Sequence, residues 1–205
     1  MTNLARALLL SVLLCACGSK KGGDPPAVKI DPAASDALVP ADLKSKIAFA
    51  EASVEEERGK KSKTVYTLAA PKTWKADGTM KMFAKLRPDH SEGYGNFTEV
   101  SLGSNCDGSC EAKDWAQVSE KVDFAQFRGA GFKIVKDEKT ATSHLVTATN
   151  DDTTYVSYAW WVDGGDHYNT CRAVLQKGFM PDSPDPRAAM PAFEKACQAV
   201  NVKTE

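Results

Sequence analysis

Residues 155–162 are YVSYAWWV, a segment in which both faces of an extended strand are apolar. Successive side chains of a strand point to opposite faces, so Val156 and Trp160 share one face whereas Ala159 and Trp161 share the other. Strands that are exposed on one side alternate apolar and polar residues instead. The segment therefore predicts a central strand that is covered on both sides.

Turn signals flank this strand, since Asn150 with two aspartates precedes it and residues 163–166, DGGD, follow it. Short apolar segments separated by such turns predict neighbouring antiparallel strands in a meander. The strands predicted around it lie at 132–135, 144–148 and 168–175. Earlier in the chain, alternation predicts strands near 80–86 and 97–102, and a hairpin whose strands near 47–49 and 65–68 flank a long polar turn at 55–63.

Two segments change to the helical period. Trp115, Val118 and Val122 recur at helical spacing within 113–127, and Met190, Phe193, Cys197 and Val200 form one stripe near the end of the chain. The last helix starts either at Asp185 and Pro186 or, after a short first turn, at Pro191. The sum is an α+β fold with a mostly antiparallel sheet of about six to eight strands, a mid-chain helix and a C-terminal helix. We expect one domain over residues 41–205.

The first residues carry a targeting pattern. Arg6 is followed by the apolar segment 7–14, which is too short to span a bilayer, and then by Leu14-Cys15-Ala16-Cys17. This pattern resembles the lipobox of bacterial lipoproteins. The resemblance implies that residues 1–16 are a signal peptide and that Cys17 becomes the lipidated first residue, anchored in the cell envelope. Gly18 after the anchor favours the outer membrane, facing the periplasm or the surface. An ordinary secretory signal cut near Ala16, or an uncleaved apolar helix, is the alternative.

The composition changes after the anchor. Residues 17–40 are rich in Gly, Pro, Lys, Asp and Ala and contain few large apolar side chains. Such a segment buries too little surface to offset its ordering entropy. We expect a disordered tether that holds the domain above the lipid.

Four cysteines remain after the predicted cleavage, and an exported protein encounters an oxidising compartment. Three pairings are possible in principle. We favour Cys106 with Cys110, which bracket a tight loop, and Cys171 with Cys197, which link a core-facing strand position to the last helix. A labile redox pair or a metal site at residues 106–110 is the alternative, although a structural zinc site needs four ligands.

Signals for catalysis are sparse. The sequence lacks a Gly-x-Ser-x-Gly elbow, a phosphate-binding loop and a His-Glu-x-x-His motif. Asp163, Asp166 and His167 are the nearest approach to a metal or general-base site, but a hairpin turn needs the same residue types. We therefore expect no cofactor and no enzymatic activity. With 26 basic and 27 acidic residues, the chain also lacks the strong positive charge of a nucleic-acid binder.

Aromatic residues are numerous for a domain of this size, and aromatics outside a core mark protein or sugar contacts. The loop 89–96 presents Tyr94 between two glycines, and Trp115 begins the mid-chain helix. We expect these two side chains to contact a partner or ligand.

The order of elements also invites a comparison. Residues 66–74, YTLAAPKTW, form a strand that ends in Pro71-x-x-Trp74 and precede a meander and a terminal helix. This order is similar to the Mog1/PsbP-like α/β/α sandwich group over about residues 45–203. Members of that group resemble accessory and assembly factors, so the resemblance implies a protein-binding role; no functional residue is carried over.

Three hypotheses for function follow. The first is a lipid-anchored, non-enzymatic envelope protein that binds another envelope protein through a sheet face or the region 89–110. The second is a lipoprotein that binds a small ligand or glycan through aromatic surface. The third is a hydrolase that acts through His167.

Overall fold

The structure is a computed structural model, and it describes residues 27–58, 62–77, 84–105, 114–119, 131–162, 167–179 and 182–205. Within these residues, ten strands form two antiparallel sheets, which confirms the α+β class. The smaller sheet has the order β1-β2-β10, and the larger has the order β3-β4-β5-β9-β8-β7-β6. The strands are β1 (Phe49–Arg58), β2 (Ser62–Pro71), β3 (Lys75–Ala76), β4 (Ala84–Arg87), β5 (Glu99–Asn105), β6 (Lys133–Lys139), β7 (Ser143–Thr149), β8 (Thr153–Trp161), β9 (Tyr168–Gln176) and β10 (Asn201–Thr204).

Three α-helices are described with the sheets. They are α1 (Pro32–Asp36), α2 (Trp115–Ser119) and α3 (Met190–Cys197), and 3-10 turns form at His90–Glu92 and Pro186–Ala189. The last helix follows the second of its two predicted forms, because a short turn capped by Asp185 precedes it and Pro191 lies in its first turn. Proline is tolerated there because the first amides of a helix have no intrahelical acceptor. No helix in the described part of the chain is both long and apolar enough to span a bilayer.

Strand β8 has the predicted central position, between β7 and β9. Val156 on one face belongs to the main core, which both sheets and α3 share. Ala159 on the other face packs with Trp115 and Val118 of α2. The two apolar faces thus serve two separate clusters, and the predicted meander of β6 to β9 is confirmed.

Helix α3 is the centre of the main core. Phe193 is fully buried, and its ring lies 5.2 Å from that of Phe49 and 5.4 Å from that of Trp74. Full burial of such a side chain stabilises a fold by roughly 2–3 kcal/mol. A disulfide joins Cys197 of α3 to Cys171 of β9, as predicted, so the helix is bonded to the larger sheet as well as packed on it.

The predicted tether ends too late in the sequence. Residues 27–40 are part of the fold: Asp31 caps α1 by accepting a hydrogen bond from the Ala34 amide, and Val39 is buried in the core. Pro32 occupies the first turn of α1, where its missing amide does no harm. The prolines here begin a helix instead of preventing one. Residues 17–26, with the predicted signal peptide and Cys17, lie outside the described residues.

The first hairpin also differs from the prediction, because β1 and β2 continue through most of the charged segment 55–63. Opposite charges pair across the strands, with Lys63 Nζ 2.6 Å from the Glu55 carboxylate. Glu56 points inward and accepts a 2.7 Å hydrogen bond from the Tyr66 hydroxyl. Polar side chains on both faces of this hairpin therefore have partners, and a long polar turn is not needed.

Other predicted elements shift or lie partly outside the described residues. Strand β5 begins at Glu99, so the predicted strand start at Phe97 is wrong. Of the predicted strand 80–86, the described part is the beginning of β4, and of the predicted helix 113–127, the described helical part is α2. The remaining residues of both lie mostly outside the described residues. Strand β10 has no counterpart in the prediction.

Candidate interaction surface

The two predicted contact residues are both buried. Tyr94 is 2% exposed and packs edge-on against Trp74, with ring centroids 6.4 Å apart. Trp115 is 3% exposed and packs in the same way against Tyr168. The structure therefore does not support surface contact through either side chain, and both serve the interior.

The loop between β4 and β5, residues 88–98, holds Tyr94 inward. Asp89 caps the 3-10 turn by accepting hydrogen bonds from the Ser91 amide and hydroxyl, and these bonds lower the pKa of the Asp89 carboxyl. The turn ends at Gly93, whose φ of 78° lies in the left-handed region that glycine tolerates best. The chain then reverses, and the next side chain, Tyr94, enters the core.

The Tyr94 hydroxyl is buried and has no hydrogen-bond partner among the described residues. Burial, followed by the nearby Glu92 charge, raises the pKa of Tyr94 to about 12. The phenol therefore stays neutral at physiological pH, and a tyrosinate base is not available there. The cavity next to it is about 70 Å³, well below the roughly 300 Å³ at which small-molecule sites begin.

Strand β9 anchors the far end of the same loop. The Phe97 amide donates to Gln176 Oε1, and the Gln176 amide donates to Thr98 Oγ1, each at 3.1 Å. A Cβ atom on Gly95 would lie 2.7 Å from the Gln176 side chain, so the loop and the end of β9 are in close contact. The loop is thus fixed at both ends.

The segment that follows β9, residues 177–179, lies against this loop. A Cβ atom on Gly178 would lie 2.8 Å from the Gly93 carbonyl oxygen and 2.0 Å from Ser183 Cβ. Only glycine fits at such an approach. The two loops therefore form one continuous surface.

Each of the two loops presents an exposed phenylalanine. Phe97 is 66% exposed and Phe179 is 59% exposed. We call Phe97, Phe179 and the residues 88–98 and 177–179 that carry them the phenylalanine surface. Exposed large apolar side chains are unremarkable singly, but two on adjoining loops make this surface a candidate interaction site. The sequence analysis does not identify either side chain, because it places Phe97 in a strand and does not consider Phe179. A lone phenylalanine in a Gly/Pro-containing loop, as at Phe179, is the signal in the sequence that points to such an exposed side chain.

Charged residues surround this surface. The turn before β8 is brought alongside because the Lys177 amide donates to the Asp152 carbonyl, and Arg187 donates to the Asp151 carbonyl. Side-chain hydrogen bonds between Arg187 and Asp185 raise the pKa of the guanidinium and lower that of the carboxyl. Exposed charges of both signs lie here: the carboxylates are those of Asp89, Asp151, Asp152 and Asp182, and the ammonium groups are those of Lys75 and Lys177.

An ion cluster supports the base of the loop on β4 and β5. Glu99 accepts hydrogen bonds from Lys85, at 2.9 Å, and from Arg87, which also lies 3.0 Å from Asp77. The Lys85 and Glu99 side chains are each only 12% exposed, so this pair is screened less than a surface pair. The cluster ties together the two strands from which the loop emerges.

The predicted metal or base cluster remains untested. His167 is half-buried before β9, whereas Asp163 and Asp166 lie outside the described residues. Within the described ranges, no group of three His, Cys, Asp or Glu residues is placed to hold a metal ion. His144 pairs with Asp137 at 2.8 Å on β7 and β6. Cys106 and Cys110 also lie outside the described residues, so their pairing stays a prediction.

Comparisons with known proteins give little more. No protein-family model matches the chain, and no curated protein matches it. Among solved structures, it is similar to the Ran-binding protein Mog1p of Saccharomyces cerevisiae, with a TM-score of 0.47 and 8% sequence identity over 76% of this chain and 96% of that chain. That protein bears the name of the group that the sequence resembles, but a likeness at this level carries no argument about function or partners.

Proposed function

We propose that this chain is a lipid-anchored bacterial envelope protein that binds another envelope protein through the phenylalanine surface and has no enzymatic activity. The exposure of Phe97 and Phe179 on two anchored loops is the observation that carries the proposal. The lipobox resemblance at Cys17 supports the anchor, with the outer membrane as the favoured location.

The packing of the two loops supports a binding role. Gln176 hydrogen-bonds both Phe97 and Thr98, and close packing at Gly95 and Gly178 fixes the loop positions. A surface that is ordered before binding loses less conformational entropy on association. Aromatic side chains held in this way make effective anchors at the centre of an interface.

Charge indicates what kind of partner fits. The exposed charges around the two phenylalanines are of both signs, because Lys75 lies near Asp89 and the Lys177 amide is bonded to Asp152, so they favour a partner whose apolar pockets have a polar rim of mixed charge. The cavity beside Tyr94 is about 70 Å³, too small for a drug-sized ligand. At the phenylalanine surface, a protein partner is therefore favoured over an enclosed small ligand.

The test is in-cell cross-linking of the full-length protein, with partners identified by mass spectrometry. The double variant Phe97→Ala/Phe179→Ala should reduce recovery of a specific envelope partner at least tenfold, because hot-spot side chains contribute about 2 kcal/mol or more each. Val135→Ala is the matched control, since Val135 is 47% exposed and lies on β6 at the far edge of the larger sheet. Stability of both variants should stay within about 0.5 kcal/mol of wild type.

Equal recovery from the phenylalanine double variant and the Val135 control would contradict the proposed interface. A Cys17→Ser variant tests the anchor separately: it should lose labelling by a fatty-acid analogue and leave the membrane fraction. Retained labelling would overturn the lipidation of Cys17.

A further inference from the structure

A second cavity lies where the N-terminal segment packs against the C-terminal end of α3. Its volume is about 280 Å³. Small and polar side chains line it. The lining includes Lys29, Asp31, Ser35, Ala69, Lys195 and Gln198. We call it the tether-root pocket.

Ser35 lines this pocket with a hydroxyl that is unpartnered within the described part of the chain. Its residue is 1% exposed, and its hydroxyl is buried with no hydrogen-bond partner among the described residues. Buried hydroxyls are normally hydrogen-bonded, and one that is not calls for an explanation. Because this oxygen has less than 1 Å² of accessible surface, a ligand oxygen would supply the missing partner after a shift of Ser35 or of the side chains that cover it.

The charges of the pocket favour an anion. Lys29 and Lys195 contribute two ammonium groups, and the Gln198 amide adds a further donor. Asp31 carries an opposing charge, and its Oδ1 accepts the Ala34 amide at 3.1 Å in the cap of α1, so the two lysines leave the pocket with a net positive charge. Lysine ammonium groups with hydroxyl and amide donors suit the several acceptor oxygens of a phosphate group.

The pocket lies where the chain enters the fold. The Val28 amide donates to Asn201 Oδ1 at 2.7 Å, and Asn201 Nδ2 donates to the Val28 carbonyl at 2.8 Å, so this entry point is fastened to β10. Ala27 follows Cys17 by ten positions in the sequence, a span of at most about 35 Å when fully extended. A lipidated Cys17 would therefore keep the pocket near the headgroups.

We propose that the tether-root pocket binds a phosphate group, and that an anionic phospholipid headgroup is the source within its reach. The lipid source rests on the proposed anchor at Cys17, whereas the phosphate site itself does not. None of its residues belongs to the phenylalanine surface, so failure of this proposal and failure of the partner proposal are distinguishable.

The experiment uses the full-length chain with Cys17→Ser, which removes the lipid but no pocket residue. Co-sedimentation compares vesicles of phosphatidylglycerol with vesicles of phosphatidylcholine in about 0.1 M salt, where surface charges are screened beyond about 10 Å. Calorimetry in parallel titrates inorganic phosphate and glycerol phosphate. Both measurements are repeated on the variants below.

We expect Lys29→Gln/Lys195→Gln to lower the preference for phosphatidylglycerol by about 25-fold, or about fivefold per lysine. Lys44→Gln/Lys139→Gln is the matched control, because it removes the same charge from exposed lysines outside the pocket and should change the preference less than about twofold. Ser35→Ala leaves the charge unchanged and should still weaken glycerol phosphate binding several-fold.

Equal losses in the two lysine double variants would overturn the proposal, since they would mean general charge attraction. So would the absence of phosphate and glycerol phosphate binding by wild type. Binding of glycerol phosphate that depends on Lys29, Lys195 and Ser35, without any vesicle preference, would retain the pocket and assign it to a soluble phosphate ester.

Discussion

At the scale of single residues, Tyr94 shows two opposing contributions from one side chain. Its ring is buried against Trp74 and so holds the loop that presents Phe97. Its hydroxyl is buried without a partner among the described residues, and this desolvation raises the pKa to about 12. The ring stabilises the loop, whereas the hydroxyl carries an unrecovered desolvation penalty.

Two substitutions at this position separate the contributions. Tyr94→Phe keeps the ring and removes the unpartnered hydroxyl, so we expect the free energy of unfolding to stay the same or rise by up to about 1 kcal/mol. Tyr94→Ala removes the ring and should lower it by about 3–5 kcal/mol. Urea unfolding followed by fluorescence measures both. A loss above about 1 kcal/mol in Tyr94→Phe would show that the hydroxyl has a partner in solution.

At the scale of elements, strand β6 shows how one extra residue redirects a side chain. The pairing of β6 with β7 shifts between Ile134 and Lys136, which is a β-bulge at Val135. The bulge places Lys136 opposite Thr147, on the face that packs against α3. There Lys136 Nζ lies 3.0 Å from Glu194 Oε2, and the Thr147 hydroxyl donates to the other carboxylate oxygen. The edge strand and the last helix are thereby linked through a buried carboxylate.

Breaking this link from one side should cost more than removing both charges. Lys136→Met leaves the Glu194 carboxylate, whose side chain is 9% exposed, without its cation. We expect a loss of about 1–3 kcal/mol, below the value for fully buried pairs because Lys136 is partly exposed. Lys136→Met/Glu194→Gln should recover part of that loss. Urea unfolding of Lys136→Met, Glu194→Gln and the double variant gives the coupling energy between the two side chains. Strictly additive changes in the free energy of unfolding would refute the interaction.

The pH dependence of the same pair has a defined sign. Hydrogen bonding to Glu194 is the largest cause that raises the pKa of Lys136 above 10.5. A cation with a raised pKa in the folded state contributes fully below pH 10.5 and loses its contribution as the pH rises through the folded value. On the alkaline side, the stability difference between wild type and Lys136→Met should therefore persist from neutrality up to about pH 10.5 and shrink above it.

Sequence patterns predicted the elements that have a clear period. The two apolar faces at Val156 and Ala159 placed β8 at the centre, and the stripe through Phe193 and Cys197 placed α3. Patterns failed where local pairing decides the structure: the bulge at Val135 breaks the strand period, and β10 is only four residues long. The phenylalanine surface is not predicted for a related reason. The packing of its loops by Tyr94 and Gln176 depends on tertiary contacts, and the spacing of apolar residues along the sequence does not predict such contacts.

At the scale of the whole molecule, the two ends of the described chain meet. Val28 is bonded to Asn201 of β10, and Lys63 of β2 exchanges two backbone hydrogen bonds with Glu205. Helix α3 leads directly into β10, so the smaller sheet, the helix and the N-terminal segment form one side of the fold. The covalent bond from α3 to the larger sheet is the disulfide between Cys171 and Cys197.

That position makes the disulfide a determinant of global stability. The two cysteines are 26 residues apart and are 0% and 1% exposed. Closing a loop of this length restricts the unfolded chain and should stabilise the protein by about 3–4 kcal/mol. We expect reduced wild type to unfold at a lower urea concentration than oxidised wild type, with a free energy of unfolding that is lower by about 3–4 kcal/mol.

Cys171→Ala/Cys197→Ala is the control that separates this bond from any bond formed by Cys106 and Cys110. If Cys171–Cys197 is the stabilising disulfide, reductant should shift the unfolding midpoint of this variant little or not at all. Its stability should equal that of reduced wild type, less a small packing loss from the two missing sulfur atoms. A variant that remains as sensitive to reductant as wild type would assign the stabilisation to Cys106 and Cys110 instead. The core would then depend on packing around Phe193, and not on a covalent link, to hold α3 on the larger sheet.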